Sequence, residues 1–391
     1  MTRTGWLLVL GLLSSNPIAA QTTKGDAVTA PSVADYQPQG ADERGLWMDV
    51  AEAERELKTS NFIVHDPMLK AYVGAVLCRT VGSERCGAAR VYLVRTPYFN
   101  ANMAPNGMMQ VWTGLLLRTR NEAQLAAVLG HEFAHFEKRH TLKSFRNIRA
   151  KTDAMAWLSF LPYGVGALAQ IGIIGGVFAN SREMEREADL ASIGYLAAAG
   201  YAPAQAASIW GQLREEQDAT AAERKRGSKK DKNGGFFATH PNSADRVAYL
   251  TTEASAAKDA SGATGDAEYR AALAPWWAVL IDDQIKLNDF GATEFLLARL
   301  ASGSEWTSEL LYARGELYRA RARPGDLDKA AGFYRESIAR GTTLPEARRG
   351  LGLALLRGGA SDEGRSALVE YLKMKPDAGD RAMIAMLAGG V

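Results

Sequence analysis

From Leu46 onward, the spacing of apolar positions divides the chain into amphipathic helices, two brief runs of β-formers and a long helical tail. Residues 46–57 and 67–80 carry apolar side chains three and four apart, the second through Met68, Leu69, Tyr72, Val73, Val76 and Leu77, and both predict helices. Residues 90–95 and 108–113 are rich in β-formers. The stretch between them ends in Pro105-Asn106-Gly107 turn chemistry, so a small sheet is expected. Asn121 as N-cap and Glu122 in the first turn open a helix running through Leu125, Val128, Leu129, Phe133 and Phe136 to about Lys138. Further helices are expected over 181–194 and 200–217, and from Tyr269 the pattern is helical throughout.

In that tail Ala330 and Gly364 stand 34 residues apart, as do Tyr334 and Leu368, and Gly352, Leu355, Tyr371 and Pro376 fall at matching spacings. The tail resembles tetratricopeptide helix pairs, which stack to form a concave face for an extended partner. The expected fold class is α+β and mainly helical, with a small β-sheet in the first unit and a repeat-like helical second unit. Residues 254–265, heavy in Ala, Ser, Gly and Asp, mark the break, with 256–268 as linker and 269–391 as the repeat-like domain. A length of 391 residues fits two folded units.

The first residues change the picture. Arg3, an apolar stretch from Trp6 to Leu13 and Ile18-Ala19-Ala20 read as a secretory signal over 1–20, cleaved after about Ala20, with 21–44 as a flexible leader. The expected location is the periplasm. In an oxidising compartment the chain's two cysteines, Cys78 and Cys86 around the turn-like Gly82-Ser83-Glu84-Arg85, are expected to form a disulfide. A net charge of +2 gives no basis for a nucleic-acid surface. Residues 224–232 are strongly basic and read as a solvated loop. Residues 157–179 hold no charge over 23 positions, long enough to cross a membrane by length. A crossing would separate the metal ligands derived below, so a Gly-rich hairpin over the site is expected, with membrane-surface contact as the alternative.

The chemistry lies in His131-Glu132-Phe133-Ala134-His135. Four-residue spacing puts both imidazoles on one helix face, one turn apart, where they can hold a single Zn2+ with Glu132 beside it as general base. Catalytic zinc takes three protein ligands and keeps a position open for water. Glu185 is the expected third ligand. Asp189, four residues on, can accept an N–H from a ligand imidazole and fix its tautomer. Glu187 projects from the other side of that helix and reads as a surface ion pair, though spacing alone leaves it open as a ligand. His65 and His140 match no motif and read as structural or solvated.

Asn100-Ala101, Pro105-Asn106-Gly107, the HExxH segment, Glu185-Arg186-Glu187-Ala188-Asp189 and His240-Pro241 occur in that order. The chain thereby resembles the gluzincin metallopeptidases that include HtpX, the CAAX prenyl endopeptidases and BepA, and is most similar to BepA-like periplasmic members with C-terminal repeats. The match runs over about 46–255, which makes 45–255 the expected zinc metallopeptidase domain. The resemblance implies His131, His135 and Glu185 as zinc ligands, Glu132 as base and Asp189 as their support. It implies His240 and Arg246 as catalytic groups, His240 either stabilising the oxyanion or capping the zinc. It also implies that Met108, Met109, Gln110 and Val111 form an edge strand that pairs with substrate. Asn102 and Met103 depart from the Phe-Ala usual there. Misfolded or misassembled envelope proteins are the expected substrates, and an outer-membrane assembly complex is the expected partner of the repeats. A capped, mostly latent protein acting as an assembly chaperone is the alternative.

Overall fold

The helix bearing the HExxH segment is buried along almost its whole length, and the rest of the first unit is layered around it. The computed structural model describes residues 36–149, 181–228, 240, 243–257, 261–301 and 305–390. The signal segment, most of the leader and the charge-free stretch 157–179 lie outside these residues. In chain order the elements are α1 (Gly40–Lys58), α2 (Pro67–Val81), α3 (Ser83–Cys86), β1 (Arg90–Val94), β2 (Ala101–Met103), β3 (Met108–Trp112), α4 (Thr113–Arg118), α5 (Glu122–Glu137) and α6 (His140–Arg149). Then follow α7 (Arg182–Ala198), α8 (Gln205–Glu223), α9 (Ala244–Ala256), α10 (Asp266–Leu273), α11 (Trp277–Ile285), α12 (Phe290–Ala301), α13 (Ser308–Arg321), α14 (Asp326–Ala339), α15 (Glu346–Gly358), α16 (Ser361–Met374) and α17 (Arg381–Leu387). The fold is α+β and mainly helical. Among the described residues no helix is long and apolar enough to cross a membrane.

Asn121 caps α5, its side chain accepting the Gln124 N–H at 2.9 Å. Residues 122–135 of that helix are all buried, against α2, α7, α8 and β2. A helix covered on every side needs apolar residues all round rather than a stripe. Leu125, Leu129 and Phe133 are fully enclosed, each worth about 1.5–3 kcal/mol of burial. Cys78 at the end of α2 and Cys86 in α3 are joined by a disulfide.

The sheet has three strands in the order β1-β3-β2, β3 running parallel to β1 and antiparallel to β2. Two expectations change here. Residues 101–103, read as part of a turn region, form a strand, because the turn is confined to 104–107, where Gly107 at φ +89° brings its Cα against the Ala88 carbonyl. Met108 to Val111 are not at an edge: β3 is the central strand, with both sides taken by neighbours. The outer side of β1 is occupied too, by the Ile63–Val94 bridge and the Val64 N–H to Leu93 carbonyl bond. β2, packed along α5, is the outer strand on the metal-helix side.

Order also begins earlier than Leu46. Glu43 is buried near the start of α1 and accepts the Gln39 N–H and the Tyr36 hydroxyl, both at 2.7 Å, which holds the helix start in place. Residues 261–265, expected within a linker region, are strapped to the first unit: Ala263 bridges Tyr201, and the Ala123 and Glu122 N–H groups donate to the Thr264 and Gly265 carbonyls. The main apolar core runs from Val64 to Leu317 and so spans both expected units. Buried Arg118 adds polar ties, donating to Glu216 on α8 and Gln284 on α11. In the tail, α13/α14 and α15/α16 pack as successive helix hairpins. The buried Tyr334 ring fits because Gly315 and Gly350 lie against it, where an added Cβ would come within 2.6 and 2.4 Å of the ring.

Candidate metal centre

Two elements bring the expected ligands together. α5 carries His131 and His135 one turn apart, and α7 packs beside it and presents Glu185. Ser181 starts α7 by accepting the Met184 N–H, and Ser192 fixes its register on α5 by donating to the Ala127 carbonyl at 2.7 Å. The Nε2 atoms of His131 and His135 are 3.0 Å apart. Glu185 Oε2 is 3.5 Å from the first and Oε1 is 3.3 Å from the second. Donors at zinc-ligand distance in a tetrahedral shell stand about 3.3 Å apart, so these separations suit one ion between them.

The charges point the same way. Glu132, Glu185 and Asp189 are all buried, and Arg246 is the buried guanidinium facing them. Burial penalises the Glu185 carboxylate, but His240, His131 and His135 hold it well below its ordinary range. His131 is pulled down by burial and pushed up more strongly by Asp189 and Glu185, reaching about 9, whereas burial takes His135 down to about 3. Burial raises the Glu132 carboxyl, and its Oε1 has no hydrogen-bond partner in the described residues. A pocket of carboxylates and converging imidazoles with an orphaned acceptor fits a divalent cation, which would supply the missing positive charge.

Asp189 sits where spacing placed it, its Oδ1 2.9 Å from His131 Nδ1. It is gripped from behind by Arg246, whose Nε and Nη2 donate at 2.8 and 2.6 Å, and by the Tyr249 hydroxyl. The Arg246 guanidinium also lies 3.8 Å over the Trp210 ring and 3.6 Å from Glu185 Oε2, since a buried arginine is tolerated only when paired and hydrogen-bonded. His240 joins the ligand cluster itself: its Nδ1 is 3.0 Å from Glu185 Oε2 and 3.2 Å from His131 Nε2, and its Nε2 is 3.7 Å from Glu132 Oε1. The four side chains His131, His135, Glu185 and His240 present donor atoms all within 4.8 Å of one another.

His65 is exposed, the solvated of the two expected readings, and His140 takes the structural one. It is fully buried, with Nδ1 2.9 Å from His135 Nδ1 and Nε2 3.1 Å from Glu187 Oε2. Glu187 does form the expected surface ion pair, with Lys138 at 2.9 Å, and reaches inward as well. No spacing rule reveals this, since the contact depends on how the chain turns after α5.

Residues 66–254 match the peptidase family M48. That stretch, just under half of the chain, is what resembles this family. Among curated M48-like relatives, the mitochondrial metalloendopeptidase OMA1 of Schizosaccharomyces pombe is 31% identical over 185 residues, 45% of this chain and 50% of that protein. The putative beta-barrel assembly-enhancing protease of Vibrio cholerae is 29% identical over 160 residues, covering 38% of this chain and 33% of its own. The beta-barrel assembly-enhancing protease of Escherichia coli K12 is 24% identical over 163 residues, with the same coverage. The chain spans between about a third and a half of these relatives' lengths. The M48 region takes in α2 through most of α9, and so includes His131, Glu132, His135, Glu185, Asp189, His240 and Arg246.

Proposed function

We propose that the chain is a zinc-dependent endopeptidase of the bacterial envelope that hydrolyses peptide bonds in misfolded or misassembled proteins. The observation that carries this reading is the convergence of His131, His135 and Glu185 on one point with the buried Glu132 beside it. When bound, zinc would polarise the scissile carbonyl and acidify the attacking water. Glu132 is the group to take that water's proton and pass it to the leaving amine, and its burial-raised carboxyl suits both halves of the transfer. Asp189 Oδ1, 2.9 Å from His131 Nδ1, favours the proton on that nitrogen and so leaves Nε2 to face the ion, while Arg246 and Tyr249 keep Asp189 in place.

The outer strand β2 is the edge that would pair with an extended substrate backbone. Envelope location rests on the signal-like residues 1–20 and on the likeness to bacterial proteases named for beta-barrel assembly. The helix hairpins of the tail would present clients or dock to an assembly complex. The test is cleavage of an unfolded protein by the zinc-loaded chain and by Glu132→Gln. Loss of a proton-transfer base is expected to cost about 10²–10⁴ in kcat, and equal turnover by the variant would sink the proposal.

One observation favours a second, latent state: His240 Nδ1 lies within the ligand cluster, where it would fill the position that water needs. In that state the site rests capped and the chain serves as an assembly chaperone until His240 withdraws. His240→Ala would then raise basal cleavage. If it lowers kcat with KM unchanged, His240 stabilises the oxyanion instead.

A further inference from the structure

We infer that His140 and Glu187 are positioning residues for the metal ligand His135, forming a relay that fixes its tautomer and ring orientation; this rests on the metal-centre reading above. An imidazole that binds metal through Nε2 carries its proton on Nδ1 and needs an acceptor there. His135 Nδ1 faces the ring nitrogen of His140 at 2.9 Å, inside the protein. For His140 Nδ1 to accept, its own proton must sit on Nε2, and that nitrogen is 3.1 Å from Glu187 Oε2. Glu187 thus selects the His140 tautomer, which selects the His135 tautomer, which turns the Nε2 lone pair toward Glu185 and His131. Lys138, 2.9 Å from the other oxygen of Glu187, holds that carboxylate in place.

The backbone supports this assignment. Between α5 and α6 Arg139 adopts φ +54°, a left-handed conformation that costs a non-glycine residue about 1 kcal/mol or more. That turn swings His140 back beneath His135, the rings 4.9 Å apart and 73° inclined. The Arg139 guanidinium lies 4.0 Å over the Tyr36 ring, which holds the strained residue from the outside. α7 then serves both ligand histidines: Asp189 supports His131 directly, while Glu187, on the other side of the helix, reaches His135 through His140.

The experiment measures zinc affinity by chelator competition, and the visible spectrum of the cobalt-substituted protein, for wild type, His140→Phe, His140→Gln and Glu187→Ala. Removing such a support weakens metal binding by about 10- to 100-fold, so His140→Phe should fall in that range with an altered cobalt spectrum. Gln can accept from His135 and donate to Glu187, so His140→Gln should recover much of the loss. Glu187 is half-exposed, so Glu187→Ala should fold as wild type and still bind zinc more weakly. Wild-type affinity and spectrum in both His140→Phe and Glu187→Ala would overturn the relay. If His140→Phe does not fold, unchanged affinity in Glu187→Ala alone overturns it. A wild-type chain that takes up no zinc would instead overturn the metal centre on which the relay depends.

Discussion

Replacing Arg246 with Met removes the guanidinium that neutralises Asp189 while keeping most of the side chain's packing on Trp210. In the folded protein both partners are buried and joined by two bonds of 2.6 and 2.8 Å, and Arg246 Nη1 also lies 3.6 Å from Glu185. Removing one member of such a pair leaves an uncompensated buried charge and costs about 3–5 kcal/mol. For a chain of this size that lowers Tm by on the order of 10 °C. Burial penalises the Asp189 carboxylate, but Arg246 and His131 hold its pKa below the ordinary value of 3.8. A depressed carboxylate contributes stability that is present above its unfolded pKa and lost as pH falls through the folded one. The gap between Arg246→Met and wild type should therefore be full near pH 7 and narrow in strong acid, where Asp189 protonates. The assay is chemical or thermal unfolding of four proteins: wild type, Arg246→Met, Asp189→Asn and the double variant. If the guanidinium serves Asp189, the double variant is destabilised by less than the sum of the singles, with a coupling of about 2 kcal/mol. Additive effects would refute this account of Arg246 and return it to the open catalytic role that the family resemblance implied.

Three further outcomes are expected. Glu54 is penalised by burial, but Arg90, Tyr92 and Lys58 bring it down from 4.5 to about 2, so its stabilising effect is complete above pH 4.5 and fades between 4.5 and 2; the stability difference between wild type and Glu54→Gln, measured by unfolding across that range, should shrink accordingly. Opening the Cys78–Cys86 loop by replacing both residues with Ala should cost about 2–3 kcal/mol by the chain-entropy relation, read as a lower denaturation midpoint under non-reducing conditions. Phe133→Ala should cost about 3–5 kcal/mol, since that ring is fully enclosed in the metal helix, and near-wild-type stability would mean that the helix is not packed as described.

The metal site was legible because its logic is local. Four-residue spacing on a helix places two side chains on one face wherever that helix goes, so His131 with His135, and Glu185 with Asp189, could be paired before any fold was known. The site's outer contacts depend on tertiary geometry and could not. His140 reaches His135 only because the chain turns at Arg139, and Arg246 meets Asp189 only because α9 crosses near α7. The sheet order failed for a similar reason. Richness in β-formers over 108–113 marks a strand but says nothing about which neighbours it takes, and the brief β2 was hidden beside turn-forming residues. The boundary near 254–265 was read from small, polar composition, which carries no sign that residues 263–265 bond to Glu122, Ala123, Gly200 and Ala202.

The central claim is that three side chains on two helices hold one zinc ion and Glu132 moves the proton. Metal content and cleavage of an unfolded protein, measured together on wild type and Glu132→Gln, test it most directly. The account predicts one zinc per chain in both proteins and cleavage by wild type alone. A wild-type chain without stoichiometric zinc, or a Glu132→Gln variant that cleaves as fast as wild type, would contradict it.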